Sequence, residues 1–178
     1  SILYLLIVFI RNFFYDVNLF NATKLPCHVI SIGNLNVGGT GKTPTVLYLC
    51  KFFQNNKIND IAILSRGYKR NTRGMILVSK GKGPLEEWQN VGDEPFMLAK
   101  KTSNIPIVVD SNRSRGGLFL IKNFNTNIII LDDGFQHRSL SRDIDIVLIN
   151  GLSCPSDYSF FSLSYLRETW NSLKRADA

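Results

Sequence analysis

The sequence has few of the residues that build disulfide frameworks or histidine-rich metal centres. It holds three cysteines, Cys27, Cys50 and Cys154, which are odd in number, widely spaced and form no Cys-x-x-Cys pair. Its two histidines, His28 and His137, leave little for a histidine-based metal site. These shortages argue against a disulfide-linked secreted domain and against a structural zinc site, and they favour a reducing compartment.

Acidic residues are also in short supply, and no apolar run is long enough to span a bilayer. The chain has 14 acidic against 21 basic residues, a net charge of +7, which favours a phosphorylated partner, a polyanion or an anionic membrane surface. The apolar run Ile2–Ile10 is nine residues long, whereas a transmembrane helix needs about 20. With 178 residues, 44% of them hydrophobic, the chain can form about one globular domain.

The N-terminal segment has two distinct faces when it is drawn as a helix. One side collects the polar residues Arg11, Asn12, Asp16 and Asn18, and the other collects Phe13, Phe14, Val17 and Phe20. We predict that residues 1–25 form an apolar, amphipathic helix that lies in the plane of a membrane. A helix that packs on the protein's own core is the alternative.

Beyond Pro26 the chain alternates short apolar runs with helical stretches. The runs that indicate buried strands are Val29–Gly33, Ile61–Ser65, Ile105–Asp110, Ile128–Asp132 and Ile144–Asn150. The helices expected between them are Lys42–Phe53, Glu94–Thr102 and Ser114–Phe124. This alternation predicts an α/β fold over residues 26–178, with a parallel sheet covered by helices on both faces. The glycine-rich stretch Arg70–Asn90 breaks the alternation and is interpreted as a hairpin-like excursion.

The most specific motif is a glycine-rich loop between an apolar strand and a helix. It reads Asn36-Val37-Gly38-Gly39-Thr40-Gly41-Lys42-Thr43, which is a P-loop with Asn36 in place of the usual first glycine. In a P-loop, backbone N–H groups enclose phosphate oxygens, Lys42 reaches the β and γ phosphates, and the Thr43 hydroxyl binds Mg²⁺. A glycine-rich turn without a ligand is the alternative. Because no guanine-specifying Asn-Lys-x-Asp motif follows, ATP is the expected nucleotide of this P-loop NTPase-type fold.

Two acidic patterns accompany the P-loop. The apolar strand that ends in Asp132 and Asp133 is typical of a Walker B strand, whose carboxylates hold Mg²⁺ directly or through water. A simple strand-to-turn junction is the alternative. Asp93 or Glu94, at the start of a predicted helix, could accept the proton of an attacking hydroxyl, although an acidic residue there often only caps the helix.

Cationic and aromatic side chains follow the same predicted strands. Those that could bind an anionic substrate are Arg66, Tyr68, Lys69, Arg70, Arg113 and Arg115. Solvated surface charge is the alternative for each cation. His137 lies close to the paired carboxylates, and a hydrogen-bonded structural histidine is the preferred interpretation there. Since ligands bind beyond the carboxyl ends of parallel strands, we expect all these groups to converge on one edge of the sheet.

Taken in chain order, the motifs resemble those of the tetraacyldisaccharide 4'-kinase family, the lipid A 4'-kinases of Gram-negative bacteria. They are Ser31-Ile32-Gly33-Asn34-Leu35, the P-loop, Ser65-Arg66-Gly67-Tyr68, Gly92-Asp93-Glu94-Pro95 and Asp132-Asp133-Gly134-Phe135-Gln136-His137. The resemblance covers nearly the whole chain. It implies transfer of the γ-phosphate of ATP, with Mg²⁺, to the 4'-hydroxyl of a tetraacylated glucosamine disaccharide 1-phosphate, giving lipid IVA at the cytosolic face of the inner membrane.

The resemblance also implies roles for single residues. Asp93 is expected to be the base and, with Lys42, catalytic; Thr43, Asp132 and Asp133 are expected to hold the metal. The residues expected to contact the substrate are Tyr68, Glu94, Arg113 and His137, although the loose match around residues 112–117 leaves Arg115 as an alternative to Arg113. The expected partners are the acylated disaccharide and an anionic membrane surface, with no nucleic acid.

Family members continue into a second α/β domain, so the resemblance implies that this chain is the N-terminal portion of such an enzyme. Residues 153–165 depart from the family pattern before Leu166-Arg167-Glu168 matches it again. Two alternatives remain. One is a nucleotide-binding but inactive fragment, and the other is a different P-loop protein, such as a GTPase or a metallochaperone.

Overall fold

The computed structural model describes residues 2–36, 39–151, 166–168 and 170–178, with the side chains of residues 2–5 left out. The helices are α1 (Ile2–Asp16), α2 (Lys42–Asn55), α3 (Trp88–Val91), α4 (Asp93–Lys101) and α5 (Arg113–Phe124), with a 3₁₀ helix over Trp170–Arg175. The strands are β1 (His28–Asn34), β2 (Ile61–Ser65), β3 (Ile76–Lys80), β4 (Pro106–Val109), β5 (Ile128–Asp132) and β6 (Ile144–Leu148).

The six strands form one sheet in the order β3-β4-β2-β5-β1-β6. All neighbouring pairs are parallel except β3 with β4. The register pairs Ile32 of β1 with Asp132 of β5, which brings the P-loop that follows β1 next to the carboxylates that end β5. The predicted α/β fold is confirmed.

Both faces of the sheet are covered because side chains alternate along each strand. In β5, Ile130 packs with Val46 of α2 and Leu98 of α4 on one face. Ile129 and Leu131 point to the other face and pack with Leu120 of α5. The strands are therefore buried on both sides, as their near-continuous apolar sequences predict.

The stretch interpreted as a hairpin-like excursion contains an unpredicted strand. Ile76–Lys80 forms β3 and pairs antiparallel with β4 at one edge of the sheet, with a register shift between Leu77 and Ser79. The strand lies between Gly74 and Gly81 and its apolar run ends at Val78, before Ser79 and Lys80, so the surrounding turn residues hide it in the sequence.

The N-terminal segment is helical over Ile2–Asp16 only, so the predicted extent of 1–25 is wrong. The helix ends before Asn18, whose backbone has a left-handed φ of 57°. Polar residues of this helix contact the domain. Arg11 and Asn12 reach the buried Glu168 at 3.2 and 3.3 Å, and Asp16 pairs with Arg138 at 2.8 Å. Apolar side chains are instead exposed, namely Leu6, Ile7, Phe9, Ile10 and Phe13. Within the part of the chain that the structure describes, no helix has both the length and the apolar character needed to cross a bilayer.

We predict that Gly33→Ala in β1 destabilises the fold. A Cβ atom there would lie 2.4 Å from the Cβ and 2.9 Å from the backbone nitrogen of Phe135, so one of the two backbones must shift. Overpacking of this kind costs about 1–3 kcal/mol of the free energy of unfolding, which urea denaturation followed by circular dichroism measures. Gly151→Ala is the matched control, because nothing in the described part of the chain lies within 4 Å of its Cβ position; equal stabilities of the two variants would contradict the packing described.

Candidate active site

The polar motifs converge on the edge of the sheet where the parallel strands end. Ser65 ends β2, and its hydroxyl donates a hydrogen bond of 3.0 Å to Asp132 at the end of β5. Asp110, which follows β4, donates its backbone N–H to the carbonyl of Ser65 at 3.0 Å. Gln136 Nε2 donates to the carbonyl of Asn34, at the end of β1, at 2.8 Å. The predicted convergence of the four loops is therefore present.

The P-loop leads directly into α2. Gly41 precedes the helix with a left-handed φ of 85°, which favours glycine, and no side-chain hydrogen bond caps the helix. The N–H groups of the first turn therefore face the loop without a side-chain acceptor, as an anion-binding helix start requires. Thr40 Oγ1 is buried without a partner among the described residues. Val37 and Gly38, both predicted to bind nucleotide, lie outside the described residues.

Lys42 is buried and lies against the second Walker B carboxylate. Its Nζ is 3.5 Å from Asp133 Oδ1. Arg167 clasps the same carboxylate, with one guanidinium nitrogen at 2.8 Å from Oδ1 and 2.7 Å from Oδ2. Burial alone would raise the pKa of Asp133, but the hydrogen bonds and charges of Arg167 and Lys42 lower it below its usual range. Asp133 is thus an ionised carboxylate between two cations.

Arg167 is a site residue that motif analysis did not single out. It follows Leu166, whose backbone forms an antiparallel bridge with Asn36, and its own N–H donates to the carbonyl of Leu35 at 2.7 Å. The segment therefore pairs with the start of the P-loop across a long sequence separation. The signal in the sequence for this residue was the family-like Leu166-Arg167-Glu168. The distance of this motif from the P-loop along the chain does not indicate that the two meet.

Asp132 differs from its neighbour because no cation pairs with it directly. It is fully buried, and its Oδ1 has no hydrogen-bond partner among the described residues. Burial, with the charge of Glu94 in second place, raises its pKa to about 6. An unpartnered carboxylate oxygen at this edge of the sheet fits a hard cation such as Mg²⁺, which takes one or two carboxylates together with phosphate oxygens. In keeping with that, the described residues contain no group of three or more His, Cys, Asp or Glu that could hold a metal by themselves.

Asp93 and Glu94 open helix α4 beside the loop that follows β2. The residue at the cap position is Gly92, and no side-chain hydrogen bond caps this helix. A Cβ on Gly92 would lie 3.4 Å from Gly67 Cα, so the two loops touch at their glycines. Burial raises the pKa of Glu94, and the carboxylates of Asp133 and Asp93 raise it further against the lowering effect of Lys42. Acidic groups of α4 and the Walker B carboxylates thus share one electrostatic environment.

The two candidate arginines of α5 have different environments. Arg113 is 2% exposed and donates to the carbonyl of Asp110, while its Nε has no partner among the described residues. Burial, reinforced by the charge of Arg66, lowers its pKa to about 10. Arg115 instead forms two hydrogen bonds of 2.7 and 2.8 Å to Asp110. Arg113 is therefore the arginine that faces the carboxylates, and Arg115 orders the loop.

His137 is partly buried, whereas Tyr68 is exposed to solvent. His137 Nε2 lies 3.0 Å from the hydroxyl of Ser139, and burial together with the charge of Arg113 lowers its pKa to about 4. The imidazole is thus neutral near neutral pH and hydrogen-bonded, as expected of a structural histidine. Tyr68 is 61% exposed at the tip of the loop after β2, where a substrate could reach it.

Several buried polar atoms at this edge have no partner in the described part of the chain. They are Thr40 Oγ1, Arg113 Nε, Asp132 Oδ1 and Gln136 Oε1. Buried polar groups are normally hydrogen-bonded, so a cluster of exceptions indicates a place for a polar ligand. A cation for Asp132 and anionic oxygens for Arg113 would satisfy them.

Comparisons with known proteins find chains that are similar to this one. The tetraacyldisaccharide 4'-kinase of Aquifex aeolicus (strain VF5) is 39% identical over 178 residues, which are 100% of this chain and 55% of the relative. That of Halothermothrix orenii is 40% identical over 177 residues, or 98% of this chain and 46% of the relative. The crystal structure of "apo" form LpxK from Aquifex aeolicus in complex with ATP superimposes with a TM-score of 0.85 and 38% identity, covering 99% of this chain and 55% of that one.

The chain spans about half the length of the curated relatives it matches. The family described as tetraacyldisaccharide-1-P 4'-kinase matches residues 1–178. Both the family match and the identity over the whole chain lead to one assignment. The chain belongs to the tetraacyldisaccharide-1-P 4'-kinase family.

Proposed function

We propose that this chain carries the nucleotide site and part of the acceptor site of an ATP-dependent lipid A 4'-kinase. The reaction transfers the γ-phosphate of ATP to the 4'-hydroxyl of a tetraacyldisaccharide 1-phosphate, giving lipid IVA. The observation that carries the proposal is the buried Lys42, held 3.5 Å from Asp133 at the start of α2, beside Asp132 with its unpartnered oxygen. Phosphoryl transfer needs such a positive, preorganised phosphate site.

The P-loop supplies the positioning. Residues 36–43 enclose the β and γ phosphates, and Lys42 contributes a charge that Asp133 already orients. Thr43, Asp132 and Asp133 are the residues that would hold Mg²⁺, which neutralises charge on the transferring phosphate. Arg167 keeps Asp133 ionised and in place.

Asp93 is proposed as the base that receives the proton of the 4'-hydroxyl. The hydroxyl oxygen forms a bond to the γ-phosphorus, the bond from that phosphorus to the β–γ bridging oxygen breaks, and the hydroxyl proton passes to Asp93, leaving ADP. Glu94, Tyr68, Arg113 and His137 are proposed to line the acceptor position, with His137 as a neutral imidazole. Arg113 Nε has no hydrogen-bond partner among the described residues and could donate to an anionic oxygen.

The acceptor is a lipid, and α1 is proposed to hold the protein at the cytosolic face of the inner membrane. Its exposed apolar side chains, such as Ile7 at 58% and Phe9 at 66%, form a strip that the domain leaves uncovered. Its polar residues are bound to Glu168 and Arg138, so the strip has a fixed orientation. Apolar area buried in the interface together with the net charge of +7 would bind anionic lipid.

An inactive nucleotide-binding fragment remains a second candidate function. The observation that favours it is that the chain spans about half the length of its relatives. Retention of ATP binding without phosphoryl transfer by the 178-residue chain would select this alternative.

Lys42→Met should abolish productive binding of ATP. The substitution keeps the length of the side chain but removes its charge from the phosphates, and loss of one such group lowers kcat/KM by about 100-fold or more. ATP affinity by calorimetry and transfer of labelled γ-phosphate measure the effect. Lys51→Met on the exposed side of the same helix is the control; a Lys42 variant that matches it would refute the assignment of the nucleotide site.

Asp93→Asn should lower turnover while leaving ATP binding nearly intact. The amide cannot take the hydroxyl proton, and loss of a general base lowers kcat by about 100-fold or more. The test compares kcat with the ATP dissociation constant, and Glu87→Gln, an exposed carboxyl just before α3, is the control. An unchanged kcat would show that Asp93 does no more than favour the start of α4.

Replacing Ile7 and Phe9 of α1 by glutamine should release the protein from membranes. Each large apolar side chain that is withdrawn from a membrane interface costs about 1.5–3 kcal/mol, or at least about tenfold in partitioning. Sedimentation with vesicles of anionic phospholipid measures the bound fraction. A matched pair, Tyr48→Gln with Leu118→Gln, removes apolar groups of similar exposure from α2 and α5. If both pairs sediment like the wild type, α1 is not the membrane contact.

A further inference from the structure

We propose that the loop after β2 forms a seat for a second phosphate of the acceptor, the phosphate monoester at the anomeric position of the disaccharide. A cavity of about 380 Å³ lies in this loop. Its lining includes Arg66, Tyr68, Lys69, Arg70, Arg73 and Ser111. We name it the basic cavity. The proposal rests on the proposed function, since it assigns a binding position to one group of that acceptor.

The basic cavity is positively charged, and no carboxylate among its lining residues neutralises that charge. Four of its lining side chains are cationic, and none of its lining residues is acidic. The nearest acidic influence on Arg70 is Asp110, whose carboxylate is already held by two hydrogen bonds from Arg115. A dianionic phosphate monoester is the small ligand that such a set of guanidinium and ammonium groups binds best.

One of the cations is fixed and incompletely paired. Arg70 donates one guanidinium nitrogen to the carbonyl of Gly74, which closes the loop on itself. Its other terminal nitrogen is buried and has no hydrogen-bond partner in the described ranges of the chain. A buried guanidinium donor without an acceptor is costly. A phosphate oxygen would provide the missing acceptor, and the hydroxyl of Ser111 lines the same cavity.

The position of the basic cavity in the sheet places it on the acceptor side of the site. The P-loop follows β1, the Walker B carboxylates end β5, and β2 and β4 come next in the order β1-β5-β2-β4. Arg66–Gly74 follows β2, and Ser111 follows β4. With the ATP phosphates proposed at the end of β1, an acceptor that meets the γ-phosphate from the side of the Walker B carboxylates is expected over β2 and β4.

The basic cavity is also joined to the residue proposed as the base. The Cβ position of Gly92 is 3.1 Å from the carbonyl oxygen of Tyr68 and 3.4 Å from Gly67 Cα, so the loop packs directly on the start of α4. Asp93 is the next residue. An acceptor whose hydroxyl reaches Asp93 therefore extends beside the loop, where its second anionic group can enter the basic cavity.

The test combines a change in the protein with a change in the ligand. The 178-residue chain with bound ATP is titrated with the tetraacylated disaccharide 1-phosphate and with the same disaccharide lacking that phosphate, both in one detergent. The variant is Lys69→Gln with Arg73→Gln, two exposed side chains. The control is Lys122→Gln, an exposed cation in the last turn of α5, at the other end of that helix from the site. Arg70→Lys is a second variant, which keeps the positive charge but removes the planar guanidinium group that can donate two parallel hydrogen bonds.

We expect the wild type and the control to bind the 1-phosphate form about tenfold or more tightly than the dephosphorylated form, as one or two charge-assisted hydrogen bonds would give. In the double variant this preference should fall to nearly one, while affinity for the dephosphorylated form and for ATP is unchanged. Arg70→Lys should give an intermediate preference. Inorganic phosphate should compete with the 1-phosphate form only in the wild type and the control.

Three results would overturn the proposal. The first is a preference for the 1-phosphate form that is retained in the double variant, and the second is an equal loss of affinity for both disaccharides. Either result would mean that the basic cavity does not bind the phosphate. Competition by inorganic phosphate without any preference between the disaccharides would assign the cavity to free anions. If the wild type binds ATP but neither disaccharide, the proposed function is refuted together with the phosphate seat. If the wild type binds both disaccharides equally, only the phosphate seat is refuted.

Discussion

Two adjacent carboxylates at the end of a buried strand are the constraint around which the rest of the site is arranged. Like charges in a low-dielectric interior cannot both ionise without compensation. Asp133 receives that compensation from Lys42 and Arg167, so its pKa is lowered below the usual range. Asp132 has only the hydroxyl of Ser65, and its pKa rises to about 6. The P-loop lysine and a residue distant in sequence must therefore both reach the end of β5. The parallel pairing of β1 with β5 meets the first requirement.

The segment 166–168 meets the second requirement and connects the site to α1. Leu166 packs in a small core with Leu35, Arg167 clasps Asp133, and Glu168 is fully buried. A buried carboxylate needs cationic partners, which Arg11 of α1 and Arg175 of the 3₁₀ helix provide. This arrangement explains why the polar residues of α1 face the domain and its apolar residues do not. Three consecutive residues thus link the phosphate loop, a Walker B carboxylate and the helix proposed to contact the membrane.

The sequence predicted the parts of the fold that depend on local patterns. Helix α2 begins at Lys42 as expected, directly after Gly41 with its left-handed backbone, and strand β5 has the predicted bounds. Strand β3 was missed because it lies between Gly74 and Gly81 among turn residues, and its apolar run ends at Val78. The different environments of Arg113 and Arg115 were also not visible in the sequence, since both lie in the first turn of α5, and only the structure shows that Arg113 is buried while Arg115 pairs with Asp110.

By itself, the sequence determined the family, the α/β class and the residue types at the candidate site, because glycine spacing, paired carboxylates and apolar runs are local features of the chain. Tertiary structure alone decided which charges meet. It brought Arg167 to Asp133 and left Asp132 Oδ1 without a hydrogen-bond partner among the described residues. It also gathered the cations after β2 around one cavity on the side away from the P-loop. The physical reason is that electrostatic compensation depends on distance in space, which strand order and register set and which spacing along the chain does not reveal.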